Sequence, residues 1–187
     1  MRIALCGRGG TGKTTLAGEL SRILALPLIS EQVRVAARRL GITDIRSMQP
    51  NERIVLQTAA LCSQATMEEL HSASGFVSDR SRFDYLAYYE NLLGVFNSGI
   101  GPYSALAHQG SYDLFVMVPP HSPTPEDDGF RFSGSTFKTI EDGVEEWLKH
   151  KLGEPLKYTV LTLRQTAVQG RVEEVLAAVK NIERMAE

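Results

Sequence analysis

Apolar residues along this chain fall into short runs and helical spacings that alternate. Arg2-Ile3-Ala4-Leu5-Cys6 is a compact apolar run of the kind that forms a buried strand. From Thr14 to Ala25 the apolar positions are Leu16, Leu20, Ile23 and Leu24, a helical spacing. Leu26-Pro27-Leu28-Ile29 begins a second strand that stops at Ser30-Glu31, and Val33, Val35, Ala36, Ala37 and Leu40 then mark a helix closed by Gly41. Pro50-Asn51-Glu52 opens a long helix from about Arg53 to His71. Phe76-Val77-Ser78 is a short strand ending in Asp79-Arg80-Ser81, followed by a helix from Asp84 to Phe96, a break at Gly99 to Pro102 and a helical turn over Ser104 to His108. Tyr112 to Val118 is a strand stopped by Pro119-Pro120. Thr139 to Leu152 and Gly170 to Ala186 read as helices, with a last strand from Tyr158 to Leu163 between them. Strands near 2–6, 26–30, 76–79, 112–118 and 158–163 alternating with helices predict one α/β domain over residues 1–187, built on a doubly wound parallel sheet. Residues 119–136, rich in Pro, Gly, Ser and acids, read as a mobile, lid-like loop.

The connection after the first strand carries the clearest chemistry. Gly7-Arg8-Gly9-Gly10-Thr11-Gly12-Lys13-Thr14 matches every fixed position of the G-x-x-x-x-G-K-S/T phosphate-binding loop, and it lies between a strand and a helix, as that motif requires. Glycines let backbone N–H groups converge on phosphate oxygens, and the helix N-terminus adds its dipole. The motif predicts a nucleoside triphosphate held by Gly7 to Thr15. Lys13 is expected at the β/γ-phosphates and the Thr14 hydroxyl on Mg²⁺.

Other chemical residues also follow strands, where a doubly wound sheet places its ligand crevice. Glu31 ends the second strand and shares a face of the first helical turn with Arg34. Its carboxylate could take a proton from an acceptor hydroxyl. Asp79 ends the third strand and could hold Mg²⁺ or serve as base, and Arg80 and Arg82 could bind the acceptor or the transferring phosphate. Arg131, beside Gly129 in the acidic loop, could close over the phosphates.

Composition narrows the setting. Net charge is −2, against a strongly basic nucleic-acid binder. Arginines cluster at 34, 38, 39 and 46, and acids at 126–146; both read as solvated helix faces, or, for the arginines, as part of a phosphate-handling site. Cys6 reads as core, Cys6 and Cys62 make no metal pattern, and His71, His108, His121 and His150 lack ligand spacing. No apolar run has the length of a membrane span, and the N-terminal run leads straight into the glycine loop without a cleavage site. The expected location is cytoplasmic, with no membrane partner.

Gly7 to Thr14, Ser30-Glu31-Gln32-Val33-Arg34, Asp79-Arg80-Ser81-Arg82-Phe83-Asp84-Tyr85 and Asp128-Gly129-Phe130-Arg131 together resemble the P-loop small-molecule kinases, in particular the ribosylnicotinamide-kinase-like group of bacteria and phages. Order and spacing agree over nearly the whole chain. Asp79-Arg80-Ser81 is also similar to the acid-Arg-Ser signature of deoxynucleoside kinases and the Asp-Arg motif of thymidylate kinases. The resemblance implies an ATP- and Mg²⁺-dependent kinase with Lys13, Glu31, Asp79, Arg80 and Arg131 at the reaction. It places the general base on Glu31. Glu31, Arg34, Arg80, Arg82 and Asp84 would lie beside a nucleoside-like acceptor, and Leu163 to Gly170 near adenine. The chain departs from the family in having Arg131 as the lid's arginine, with Lys138 a distant second cation, and an arginine-rich helix after Glu31. These departures keep open a kinase for a nucleotide or for a hydroxymethylated base in DNA, and a nucleotide-hydrolysing switch stands beside it as an alternative of another class.

Overall fold

Successive side chains of the first strand enter different cores. Ile3 and Leu5 pack into one and Ala4 and Cys6 into the other, all fully buried. A strand buried on both faces needs helices on both sides, and the rest of the chain supplies them. The computed structural model describes residues 1–94, 101–120, 134–154 and 157–186. In chain order the elements are β1 (Arg2–Cys6), α1 (Lys13–Leu24), β2 (Leu28–Ile29), α2 (Gln32–Arg39), a 3-10 turn (Ile45–Ser47), α3 (Pro50–Leu70), β3 (Phe76–Asp79), α4 (Arg82–Leu93), α5 (Gly101–His108), β4 (Leu114–Met117), α6 (Gly134–Leu152), β5 (Val160–Thr162) and α7 (Val168–Ala186).

The strands form one parallel sheet in the order β2-β3-β1-β4-β5. On one face Leu16, Ala17 and Leu20 of α1 and Val172, Val175 and Val179 of α7 cover Ile3, Leu5, Val77 and Val116. On the other, Leu56 and Leu61 of α3, Phe83 and Leu86 of α4, and Trp147 and Leu148 of α6 cover Ala4, Cys6, Phe115 and Met117. The doubly wound α/β architecture read from the sequence is the one found. Parallel pairing of Leu5 with Asp79 on one side and Val116 on the other brings the carboxyl ends of β1, β3 and β4 to one edge of the sheet.

Several boundaries shift for local reasons. α3 begins at Pro50 rather than Arg53, because Pro50 suits the first helical position and the Gln49 N–H donates to the Glu52 carboxylate at 2.7 Å. α4 begins at Arg82 rather than Asp84. Ser81 caps it by accepting from the Asp84 N–H, while the Asp84 carboxylate accepts from the Ser81 N–H at 2.9 Å. α6 begins at Gly134, so the expected loop is shorter at its end, and most of it, with Arg131, lies outside the described residues. β2 is reduced to an edge pair with Leu28 exposed.

Candidate active site

β1 delivers the chain directly into the glycine loop. Gly7 adopts φ +123°, and a Cβ there would lie 3.0 Å from the Val118 carbonyl oxygen, so the loop passes the end of β4 too closely for a side chain. Gly12, at φ +85°, turns the chain into α1, where it occupies the N-cap. The Gly7 N–H donates to Asp84 Oδ1 at 3.2 Å, tying the loop to α4. Lys13 is buried and folds back over the loop: its ammonium donates to the Arg8 carbonyl and to Thr11 Oγ1. Thr14 and Thr15 are exposed on the first turn of α1.

Around this loop stand the side chains from the other strand ends. The Thr14 hydroxyl donates to Asp79 Oδ2 at 2.6 Å, which joins two hard oxygen donors of the kind Mg²⁺ prefers. Burial pushes the Asp79 carboxyl above the usual carboxylate range, against the pull of Lys13. Burial, helped by the Arg80 guanidinium, lowers Lys13 to about 8, opposed by Asp79, Asp84 and Glu31. Among the described residues no group of three or more His, Cys, Asp and Glu side chains is arranged to hold a metal. Thr14 and Asp79 are the residues that would hold a magnesium ion, which would there neutralise phosphate charge.

Arg80 connects the acid to the loop. Its Nε donates to Glu31 Oε1 at 2.8 Å, and its Nη1 donates to the Gly7 carbonyl at 3.1 Å and to Asp84 Oδ1 at 3.3 Å. Its guanidinium carbon lies 5.1 Å from the centre of the Tyr88 ring. The residue holds φ +94°, a left-handed conformation that costs a non-glycine residue about 1–3 kcal/mol. Its N–H bond to the Leu5 carbonyl and the side-chain bonds over-determine that geometry. Glu31 Oε2 accepts from Arg34 Nε, also at 2.8 Å. The two arginines differ in freedom: the Arg80 side chain is 3% exposed and that of Arg34 36%.

Of the residues in the sequence reading, Lys13, Thr14, Glu31, Arg34, Asp79 and Arg80 lie together beside the phosphate loop. Arg82 and Asp84 are engaged differently from that reading. Arg82 turns to Glu68 of α3, donating from Nε at 2.7 Å and from Nη1 to the Leu106 carbonyl. Asp84 is fully buried and braces Gly7, Arg80 and Ser81. Arg8 reaches away from its loop to Asp142 at 2.7 Å and Glu145 at 3.6 Å. Cys6 lies in the core, where burial pushes its thiol up and makes it unreactive.

Two residues of the site were not singled out from the sequence. Glu141 of α6 is buried and accepts from the Gly9 N–H at 2.5 Å and from the Tyr88 hydroxyl at 2.7 Å. It belongs to the acidic stretch read as a solvated face, which is thus only partly one. Arg171 of α7 donates to three carbonyls on three loops: Thr11 at 2.7 Å, Gln165 at 2.9 Å and Pro119 at 3.2 Å. Its position beyond a strand-to-helix connection was the available signal.

A glycine loop between β1 and α1 at the carboxyl edge of a parallel sheet, flanked by an Asp-Arg strand end, defines the α/β P-loop kinase fold. The chain belongs to the family described as AAA domain, whose model matches residues 2–171. No curated protein matches the chain in sequence. Among solved structures it is similar to deoxyadenosine kinase from M. mycoides, with TM-score 0.70 and 16% identity over 97% of this chain and 100% of that one. It is also similar to thymidylate kinase from Candida albicans, with TM-score 0.67 and 15% identity over 97% and 91%. A NadR protein solved in complex with NR matches with TM-score 0.69 and 20% identity over 96% of this chain and 50% of that one. At these identities the likeness is one of fold. No helix among the described residues is long and apolar enough to cross a membrane.

Proposed function

We propose that this chain is an ATP-dependent kinase of the cytoplasm that transfers the γ-phosphate to a hydroxyl of a nucleoside-like acceptor. The observation that carries the reading is the chain of contacts from Glu31 through Arg80 to Gly7, which sets a carboxylate at the lip of the phosphate loop. Fold neighbours that are nucleoside and thymidylate kinases support it.

In this reading Lys13 leaves the Arg8 carbonyl for the β/γ-phosphates, and the loop's N–H groups hold the remaining charge. Thr14 and Asp79 would hold Mg²⁺, which would neutralise charge on the phosphates. The acceptor hydroxyl displaces Arg34, more exposed than Arg80 beside the same carboxylate, and gives its proton to Glu31. The acceptor oxygen bonds to the γ-phosphorus, the bond to the β-phosphate oxygen breaks, and ADP leaves. Arg80 keeps Glu31 in place and offers positive charge to the transferring group.

A second reading has one observation in its favour. Arg38, one turn after Arg34 on α2 and bonded to the Arg34 carbonyl, extends the positive face begun by Arg34 beside Glu31. That face suits an acceptor that itself carries phosphate: a nucleotide, or a hydroxymethylated base in DNA. An acceptor screen with γ-labelled ATP over ribosides, deoxynucleosides, their monophosphates and modified DNA separates the readings. Label on a free nucleoside supports the first, and label on monophosphates or DNA alone supports the second. Phosphate release without any labelled acceptor means a nucleotide-hydrolysing switch and ends both. Glu31→Gln is expected to lower transfer by about 10²–10⁴-fold with ATP affinity kept, and Asp79→Asn to raise the Mg²⁺ requirement.

A further inference from the structure

Resting on the reading of Gly7 to Thr14 as a triphosphate site, we infer that Glu141 is an internal competitor of the nucleotide, a carboxylate that takes a phosphate's place on the Gly9 N–H and so sets how tightly this loop binds polyphosphate.

Glu141 is buried at 4% exposure, and its two oxygens have separate partners, Oε2 on the Gly9 N–H and Oε1 on the Tyr88 hydroxyl. Gly9 is the third residue of a loop whose backbone donors are there to meet phosphate oxygens. A carboxylate is the nearest side-chain equivalent of such an oxygen in charge, size and hydrogen-bonding capacity. Both anions cannot share one N–H at 2.5 Å, and a phosphate placed beside the Glu141 carboxylate meets like charge.

The competitor is held where it acts. α6 sits on α4 through a ladder of contacts: Tyr88 with Glu141, Trp147 Nε1 donating to Glu90 at 2.6 Å, and Gly143, where a Cβ would meet Asn91 Oδ1 at 2.6 Å. On the same helix Asp142 and Glu145 hold Arg8, the residue before Gly9. Phosphate therefore has to break a contact anchored from the neighbouring helices. With α6 seated, Glu141 gives way by rotating its own side chain about Tyr88.

The test measures dissociation constants of ADP and of inorganic triphosphate for the full chain and for Glu141→Gln and Glu141→Ala, with circular dichroism and Tm reporting the fold. Glu141→Ala removes both the charge and the acceptor and is expected to tighten both ligands about tenfold, the equivalent of one modest charge-assisted hydrogen bond. Glu141→Gln removes the charge but keeps an acceptor, so it should tighten them less. Triphosphate lacks a base, and tightening of ADP alone would place the effect outside the phosphate loop and overturn the inference. Unchanged or weaker binding in folded variants would overturn it as well, because Glu141 would then be structural or a helper. Failure of the wild-type chain and both variants to bind either ligand would sink the triphosphate reading itself, a different result from a finite, unchanged affinity.

Discussion

Arg80 and Arg82 are neighbours but one in sequence, and by the usual measures they are the same kind of residue. Each is buried, each donates its Nε to a glutamate at 2.7–2.8 Å, and each sits where β3 gives way to α4. Arg80 faces the phosphate loop, with the Gly7 carbonyl on one nitrogen and the Tyr88 ring nearby. Arg82 faces α3 and α5, where Glu68 also accepts from the Tyr112 hydroxyl and from Gln64 Nε2. A buried arginine–glutamate pair is thus no mark of a site. What separates the two is the surroundings: Arg80 borders a loop built of backbone donors, whereas Arg82 sits in a side-chain cluster with Glu68, Tyr112 and the Gln64 amide nitrogen.

That contrast can be broken by experiment. Lys13→Ala should have the largest effect on the active side. It is expected to lower kcat by at least about 10²-fold, the cost of one charge-stabilising contact at the transition state, with Tm nearly unchanged. Near-normal turnover at saturating Mg²⁺-ATP would remove the basis for calling this side active.

The arginines come next. Arg80→Lys keeps the charge but loses the fork that spans Glu31 and Gly7, so kcat should fall by about 10²-fold. Arg82→Met leaves Glu68 buried without its cation, a loss of about 3–5 kcal/mol that lowers Tm by on the order of 10 °C. Below its melting range this variant should turn over at the wild-type rate per folded molecule. If Arg82→Met loses kcat while folded and Arg80→Lys keeps it, the two regions have been assigned the wrong way round.

Acidity gives a smaller, graded effect. Lys13, lowered to about 8 by burial and the neighbouring Arg80 guanidinium, is charged below that pH and neutral above it. ATP affinity should therefore weaken as pH rises through 8, by up to about tenfold per unit. Stability of the free protein should move the other way. Between about 8 and the ordinary 10.5 the unfolded chain holds this proton more often than the folded one, so stability rises with pH over that window. Calorimetric titration and melting curves from pH 7 to 10 read both trends, and parallel slopes would contradict this view of Lys13. The smallest change is expected from Arg171→Lys, which keeps a cation but cannot reach three carbonyls at once. KM for ATP should rise a few-fold, on the order of the loss of one neutral hydrogen bond, with kcat little changed. A drop in kcat alone would make Arg171 more than a brace.

What could be read from the letters was local or periodic. The glycine loop is contiguous, and the strand ends carrying Glu31 and Asp79-Arg80 follow from apolar runs that stop abruptly. The orientation of Arg82 did not follow, because its partners, Glu68 and the Leu106 carbonyl, lie on α3 and α5, away from it in sequence. Glu141 and Arg171 meet backbone groups of the phosphate loop from 132 and 160 residues away, and a carbonyl or N–H partner leaves no trace in side-chain pattern. The early start of α6 at Gly134 was hidden by a first turn of poor helix formers.

The parallel sheet also dictates an order of events during synthesis. β1 pairs with β3 and β4 and with nothing nearer in the chain, so Ile3 to Cys6 have no partner strand until Phe76–Asp79 has left the ribosome, and no second one until Leu114–Met117 follows. Long-range pairing of this kind is slow and leaves an apolar segment open to association in the meantime. The glycine loop is made well before Val118, against which Gly7 packs, and before Arg171, which grips Thr11. A nascent chain arrested before residue 171 carries the whole phosphate-binding motif and lacks one of the side chains that give it shape.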